Sequence, residues 1–378
     1  MSAARPAADT PEPPSERRRR ASGFAAVVVL AVLAVACSGA AAGPASSPPA
    51  AAASGGASAS AASGGARAPA AAPTPAPVTV RAGIVAPESQ IGALYVGQDS
   101  GIFQQHGLKL EIQELAPSAI PPALQAGELE FTTSAQTASR SALQGLPLRA
   151  VAVMLNRPTY PLVADRAIHS VAELAGKKIV TGPRVSSPGI LLAKLLQQQG
   201  LNPDTDAEVL YIQAPDARST LLLNRQVDAG IINVDAALRM QRQDADLGLL
   251  VPPAALPPAP WSGIGVAKRL LDEQPDVVER LIAACLEANQ YMKTHPAETQ
   301  AAFARYLDLT SEESRRVWEL VIPAIVSDGL MTDELFAIEL EQARVALNRP
   351  DLTEADVRAA YDLRLTEKVA RRLGLLQH

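Results

Sequence analysis

Between Lys178 and Gly189 the chain reads KIVTGPRVSSPG. Lys178–Thr181 predicts a short buried strand, and Gly182-Pro183 breaks it. Ser186 or Ser187 then caps a helix predicted over Pro188–Gln199, with Pro188 near its first turn, where a missing N–H costs nothing. A strand, a loop of small residues and a capped helix N-terminus make a site for a polar or anionic ligand. Free N–H groups and the helix dipole both face the loop. The same hydroxyls serve equally well as plain caps, and both readings stand. Arg184, in the same loop, is either a partner for a ligand acid or a solvated residue.

Other chemistry is thinly represented. The histidines His106, His169, His295 and His378 are scattered, and none stands in a metal-ligand spacing. No metal and no cofactor is expected. Of the two cysteines, Cys285 sits in the apolar pattern Leu281-Ile282…Cys285-Leu286 and reads as a small core residue. Catalysis needs a committed nucleophile, base or metal. No cysteine lies in a loop, and no paired carboxylates fall at strand ends in both halves of the chain.

The other cysteine, Cys37, belongs to the start of the chain. Arg17–Arg20 is a positive segment, and Gly23–Ala36 is an apolar run too short for a comfortable membrane span. Leu33-Ala34-Val35-Ala36-Cys37 resembles a bacterial lipobox, with Cys37 as the acylated first residue of the mature protein. The alternatives are an ordinary secretory signal with an incidental cysteine and an uncleaved anchor helix. Residues 37–77 are nearly all Ala, Ser, Gly and Pro. They lack the large apolar side chains that would offset ordering entropy, so they read as a disordered tether. The whole chain carries a formal charge of −5. Removing residues 1–36 takes away five arginines and three acids, which leaves it more acidic still. Without a basic stripe, nucleic-acid binding is not expected.

From Val78 onward, strands alternate with helices. Strands are expected at Val78–Val85, Leu108–Leu115, Leu129–Thr132, Leu148–Met154, Tyr160–Ala164, Lys178–Thr181, Glu208–Gln213, Ala229–Ile232, Leu247–Val251 and Trp261–Ala267. This spacing implies mainly parallel sheets with helices on both faces. Extended crossings near Tyr160–Ser170 and Leu256–Ser262 divide the body into two lobes. The expected divisions are 78–165 for the first part of lobe one, 166–258 for lobe two, and 259–378 for the completion of lobe one with C-terminal helices. From Lys268 the pattern is helical throughout: Pro275–Lys293, Pro296–Leu307, Ser311–Leu320, Thr332–Asn348 and Thr353–Leu373. Two α/β lobes facing each other make a cleft at the carboxyl ends of their strands.

Six segments, in order, give these elements a familiar form. Gly101–Leu108 (GIFQQHGL), Ala123–Phe131 (ALQAGELEF), Gly145–Ala152 (GLPLRAVA), Ser170–Ile179 (SVAELAGKKI), Gly200–Asp204 (GLNPD) and Gln226–Gly230 (QVDAG) resemble motifs of the nitrate/sulfonate/taurine-type substrate-binding proteins of ABC importers. The departures are Glu130, where Asp is usual, and Asn233-Val234-Asp235, where many members carry a proline. The resemblance implies an α/β, two-lobed type II periplasmic-binding-protein fold, here with a helical C-terminal extension. It implies ligand contacts in the loops after the strands of both lobes. Carried over by position, these are Glu88, Ser89, Gln90, Ser134, Gln136, Asn156, Ser186, Ser187, Asn233, Asp235 and Trp261. For Ser134, Ser186, Ser187, Asn233 and Asp235, helix capping is the competing reading. For Gln136 and Asn156 it is an exposed position, and for Trp261 a place in the core.

The function so implied is a non-catalytic solute-binding lipoprotein. It is a monomer on the periplasmic or other extracytoplasmic face, it binds a small anionic molecule, and its partners are an ABC permease and, through Cys37, the membrane. Two alternatives are a thiamine-pyrimidine-synthase-like enzyme and a ligand sensor for a membrane receptor. The anchor is tested directly: globomycin-sensitive processing and fatty-acid labelling should both require Cys37. A Cys37→Ala protein that stays fully membrane-bound would overturn the lipoprotein reading in favour of an uncleaved anchor.

Overall fold

The computed structural model describes residues 77–376. The signal segment, Cys37 and all but the last residue of the tether lie outside the described residues. Four strands come first: β1 (Val78–Ile84), β2 (Leu108–Glu114), β3 (Phe131–Thr132) and β4 (Leu148–Leu155). The chain then leaves for a second sheet built from β5 (Leu162–Asp165), β6 (Lys178–Thr181), β7 (Glu208–Tyr211), β8 (Ala229–Ile231) and β9 (Leu247–Val251). It returns in β10 (Ser262–Ala267). The strand orders are β2-β1-β3-β10-β4 and β7-β6-β8-β5-β9.

Each sheet contains one reversed strand, and in each it is the strand that has just crossed. β10 runs antiparallel between β3 and β4, and β5 runs antiparallel between β8 and β9. The other ladders are parallel: β1 with β2 and β3, and β6 with β7 and β8. A chain leaving the carboxyl end of β4 enters the second sheet from the side on which that sheet's parallel strands end. It must therefore run against them, and β10 obeys the same constraint on the way back. Both crossings consequently lie at the carboxyl ends, where the strand-to-helix loops of both lobes gather.

The crossings are residues 156–161 and 252–261. One backbone bond joins them, from Ala259 N to the Asn156 carbonyl, and another ties Trp261 N to the carbonyl of Leu155 at the end of β4, both 2.9 Å. Pro158, Pro161 and the prolines after Val251 lack the donors that would extend this pairing into a continuous sheet. The strand expected at Tyr160–Ala164 as the exit from the first unit is instead β5. It pairs only within the second sheet, so the crossing precedes it. Its run is apolar on both faces, which leaves the sheet it joins unspecified by pattern.

The C-terminal part is helical, as expected, with one correction. The single helix expected over Thr353–Leu373 is two helices, Glu354–Ala359 and Arg364–Arg372. Between them the chain lies along the edge of β4: Ala150 N donates to Ala360 O at 3.1 Å, and Asp362 N donates to Ala150 O at 2.8 Å. An uncovered edge strand has open backbone groups, and they outweigh the helical preference of the segment. One further short helix, Lys268–Glu273, follows β10 directly.

The first sheet is packed closely enough to need glycine. A Cβ on Gly265 of β10 would overlap the Cβ of Ala138, in the helix Ala135–Leu143, and would stand 3.0 Å from Cγ2 of Thr132. Gly265→Ala should therefore lower stability by about 1–3 kcal/mol, the usual cost of overpacking. A denaturant midpoint equal to that of the native protein would show that the helix can move away freely.

Candidate functional site

The gathered loops enclose a cleft of about 200 Å³ between the lobes. Gln90, Ser134 and Gln136 reach it from the first lobe, and Ser186, Ser187 and Arg218 from the second. Tyr160 and Trp261 close it from the crossings, with ring centroids 5.1 Å apart in an edge-to-face arrangement. Apolar walls face each other: Pro117 and Ile120 from one lobe, Pro188 and Pro215 from the other.

Six of the eleven candidates therefore line the cleft, and two of these also cap helices. Ser134 accepts from Thr137 N at 3.1 Å and caps the helix Ala135–Leu143. Ser186 accepts from Gly189 N at 3.4 Å and donates to the Pro183 carbonyl at 2.7 Å, so it caps the helix Ser187–Gln197. Ser187 is different. It donates across the cleft to Oε1 of Gln136. Trp261 is buried, and its Nε1 has no acceptor among the described residues.

The other five do not line the cleft. Asn156 is in the first crossing, where its backbone carbonyl accepts from Ala259. Glu88, Ser89, Asn233 and Asp235 form a buried contact between the lobes. Ser89 N donates to Asp235 Oδ2 at 2.8 Å. Glu88 accepts from the Tyr160 hydroxyl at 2.6 Å, from Asn233 Nδ2 at 3.2 Å, and from Gln90. Asn233 also caps the helix Val234–Gln243 by accepting from Ala236 N at 2.7 Å. Arg184 pairs with Asp204 on the surface and lies outside the cleft wall.

Arg218 escaped the sequence reading. Within ARST of the helix Pro215–Leu223 it resembles a solvated-face residue, yet it is only 4% exposed. The available signal was its position: it lies in the first turn or so of the helix that follows β7, and so at the carboxyl end of a strand. One of its nitrogens, Nη1, reaches the Ile231 carbonyl at 3.4 Å, and Nε has no partner among the described residues. No carboxylate lies within ion-pair distance among the described residues, and the guanidinium carbon is 6.0 Å from the Tyr160 ring centroid. Burial lowers the Arg218 pKa, opposed by Tyr160 and Glu88. Among the residues lining the cleft none is Asp, Glu, His, Cys or Lys, so Arg218 supplies the one formal charge.

The buried acids respond to the same desolvation. Burial pushes the Glu88 carboxyl up to about 7, with Asp235 adding to the rise and with Tyr160, Asn233 and Arg218 opposing it. Burial likewise raises Asp235, against the pull of Ser89 and Arg239. Cys285 is in the core as expected, away from the cleft wall, and burial pushes its thiol up to about 12.

Comparison with known proteins places this geometry in context. A family described as NMT1/THI5 like matches residues 88–299, more than half of the chain. A Haemophilus influenzae protein provisionally named for thiamine biosynthesis is 26% identical over 251 residues, 64% of this chain and 78% of that protein. Among solved structures, the periplasmic aliphatic sulphonate binding protein SsuA from Escherichia coli superposes with a TM-score of 0.63 at 18% identity, over 77% of this chain and 99% of SsuA. The periplasmic nitrate-binding protein NrtA from Synechocystis PCC 6803 gives 0.63 at 12% identity, over 79% and 90%. The desulfurization enzyme DSZB gives 0.54 at 15% identity, over 78% and 99%. These likenesses establish the two-lobed periplasmic-binding-protein fold.

Glu88 makes the lobe contact pH-dependent. Its folded value of about 7 lies above the ordinary 4.5, so the folded protein holds the extra proton between those limits. The stability from this group is complete below about 4.5 and is lost as pH rises through about 7. The melting temperature of the native protein relative to Glu88→Gln should therefore fall over that interval. Parallel pH profiles for the two proteins would show that Glu88 does not titrate there.

Proposed function

We propose that this chain, which belongs to the NMT1/THI5-like family, is an extracytoplasmic solute-binding protein that delivers a small organic anion to an ABC importer. The carrying observation is Arg218: a buried guanidinium without a carboxylate partner among the described residues, lining a cleft that holds no other formal charge. A buried cation needs a counter-charge, and an anionic ligand provides it with charge-assisted hydrogen bonds. Trp261 Nε1, also buried and without an acceptor among the described residues, is a second donor suited to such a ligand. The apolar walls favour a ligand with carbon as well as charge. Of the residues carried over from the resemblance, Gln90 and Trp261 are the proposed ligand contacts, and Gln136 and Ser187 line the cleft joined to each other. Glu88, Ser89, Asn233 and Asp235 join the lobes, while Ser134 and Ser186 hold helix termini. Anchoring through Cys37 would keep the body beside its permease.

An enzymatic role has a fold-level analogue in the desulfurization enzyme, but the cleft wall offers no cysteine, histidine or carboxylate to carry it. The decisive experiment is a thermal-shift screen of alkane- and arylsulfonates, carboxylates, sugars and amines, followed by calorimetry on the hits. A bound ligand raises the melting temperature by mass action. Organic anions should stabilise the protein. Arg218→Gln should weaken binding by roughly 10- to 100-fold, the worth of a charge-assisted bond of about 1.5–3 kcal/mol. A preference for neutral or cationic compounds, or full affinity in Arg218→Gln, would overturn the reading.

A further inference from the structure

The family match ends at residue 299, but a helix beyond it holds a residue of the cleft wall. Glu339, in the helix Asp333–Leu347, is fully buried. Its carboxylate accepts from Gln136 Nε2 at 3.1 Å, from Ser139 Oγ at 3.1 Å, and from Arg140 Nε and Nη2, each at 3.3 Å. Gln342 of the same helix accepts from Gln136 Nε2 at 2.8 Å and from Arg140 Nη2 at 3.2 Å. Both hydrogens of the Gln136 amide are thus engaged on one side. A carboxylate can only accept, so the amide cannot turn over without setting its oxygen against Glu339. Its oxygen must face the cleft, and there it accepts from Ser187 of the opposite lobe. The same helix also packs on the helix Ser187–Gln197, and Lys194 approaches Glu341 to 4.0 Å.

We propose that Glu339 is a positioning residue for lobe closure. By fixing the Gln136 amide with its oxygen toward the cleft, it makes Gln136 a latch for Ser187, and so the C-terminal extension takes part in setting the balance between open and closed forms. The inference rests on the reading of this cleft as one that closes on a ligand, but it can be tested without one. The reporter is amide exchange at Ser89, whose N–H is held across the lobes by Asp235. Such an amide exchanges by local opening, whereas strand amides in β4 follow larger unfolding.

Hydrogen exchange on the full chain is measured for Ser187→Ala, for Glu339→Gln combined with Arg140→Gln, and for all three changes together. Removing Glu339 and Arg140 as a pair leaves no buried charge alone. Ser89 should exchange about tenfold faster in either variant, no faster in the combination, and β4 amides should be unchanged. Unchanged exchange at Ser89 in either variant, multiplicative acceleration in the combination, or equal acceleration in β4 would each overturn the proposal. If the paired variant does not fold, Glu339→Asp keeps the charge but withdraws it from Gln136. It should then accelerate Ser89 alone, and no change there overturns the proposal. Because no ligand enters the measurement, failure of the anion reading would leave this result intact, and failure of the latch would leave Arg218 binding intact.

Discussion

Glu88 stands in the first loop of one lobe, but two of its donors come from elsewhere: Tyr160 from the crossing and Asn233 from the second lobe. A carboxyl group removed from water needs such partners, since an unpartnered buried charge costs several kcal/mol. When the lobes part, water can replace them. On the reading of a cleft that closes on a ligand, the arrangement sets lost hydration against hydrogen bonds made between the lobes, and a ligand would shift that balance. Ser89 and Asp235 add a second contact of the same kind, and Asp235 Oδ1 has no partner among the described residues. Arg218 shares this low-dielectric region and is felt by Glu88 without forming an ion pair with it. Its fork stays available to the cleft.

The polar residues around the cleft divide into two sets by geometry. At each strand-to-helix turn the chain needs an acceptor for the first-turn N–H groups, and Ser134, Ser186 and Asn233 provide it. Ser186 also spends its hydroxyl hydrogen on the Pro183 carbonyl. On the proposed reading, recognition falls to side chains that no helix terminus claims, the guanidinium of Arg218 and the indole N–H of Trp261, while Gln136 and Ser187 are engaged with each other. The small polar residues make the lobes, and the larger buried ones give the cleft its charge.

Much of this was legible in the sequence. Period-two alternation marked β2, the boundaries of β6 and β9 were read to the residue, and turn chemistry placed helix starts at Ser134 and at Ser186 or Ser187, of which Ser186 is the cap. Family motifs supplied the two-lobed arrangement. What the pattern withheld was long-range. β5 is too short and too apolar to declare its sheet. The break at Tyr361 depends on an edge strand far earlier in the chain, at Ala150, a separation no local window spans. Arg218 escaped notice because its helix shows no clear apolar face, and burial of one polar residue on such a helix leaves no local signal. Glu339 falls in a helix whose acidic surface hides one inward-facing carboxylate among several outward ones.

Charge and shape in the cleft together limit what it can hold. Arg218 by itself would suit any oxyanion, including a compact inorganic one. Such an ion would leave most of the cleft's 200 Å³ to water and would leave Ile120, Pro117, Pro188 and Pro215 facing it. A cavity of about 150 Å³ already accommodates benzene, so there is room here for a carbon skeleton beside the charged group. Covering these walls gains about 25 cal/mol for each Å² of apolar surface removed from water. Because the walls belong to opposite lobes, that gain is realised only when the lobes are together. An inorganic ion would satisfy the guanidinium without covering these walls. On the proposed reading, an organic anion would satisfy Arg218 and also bridge the two apolar faces, so its binding free energy would differ between the forms, which is the condition for closure to report that the cleft is filled.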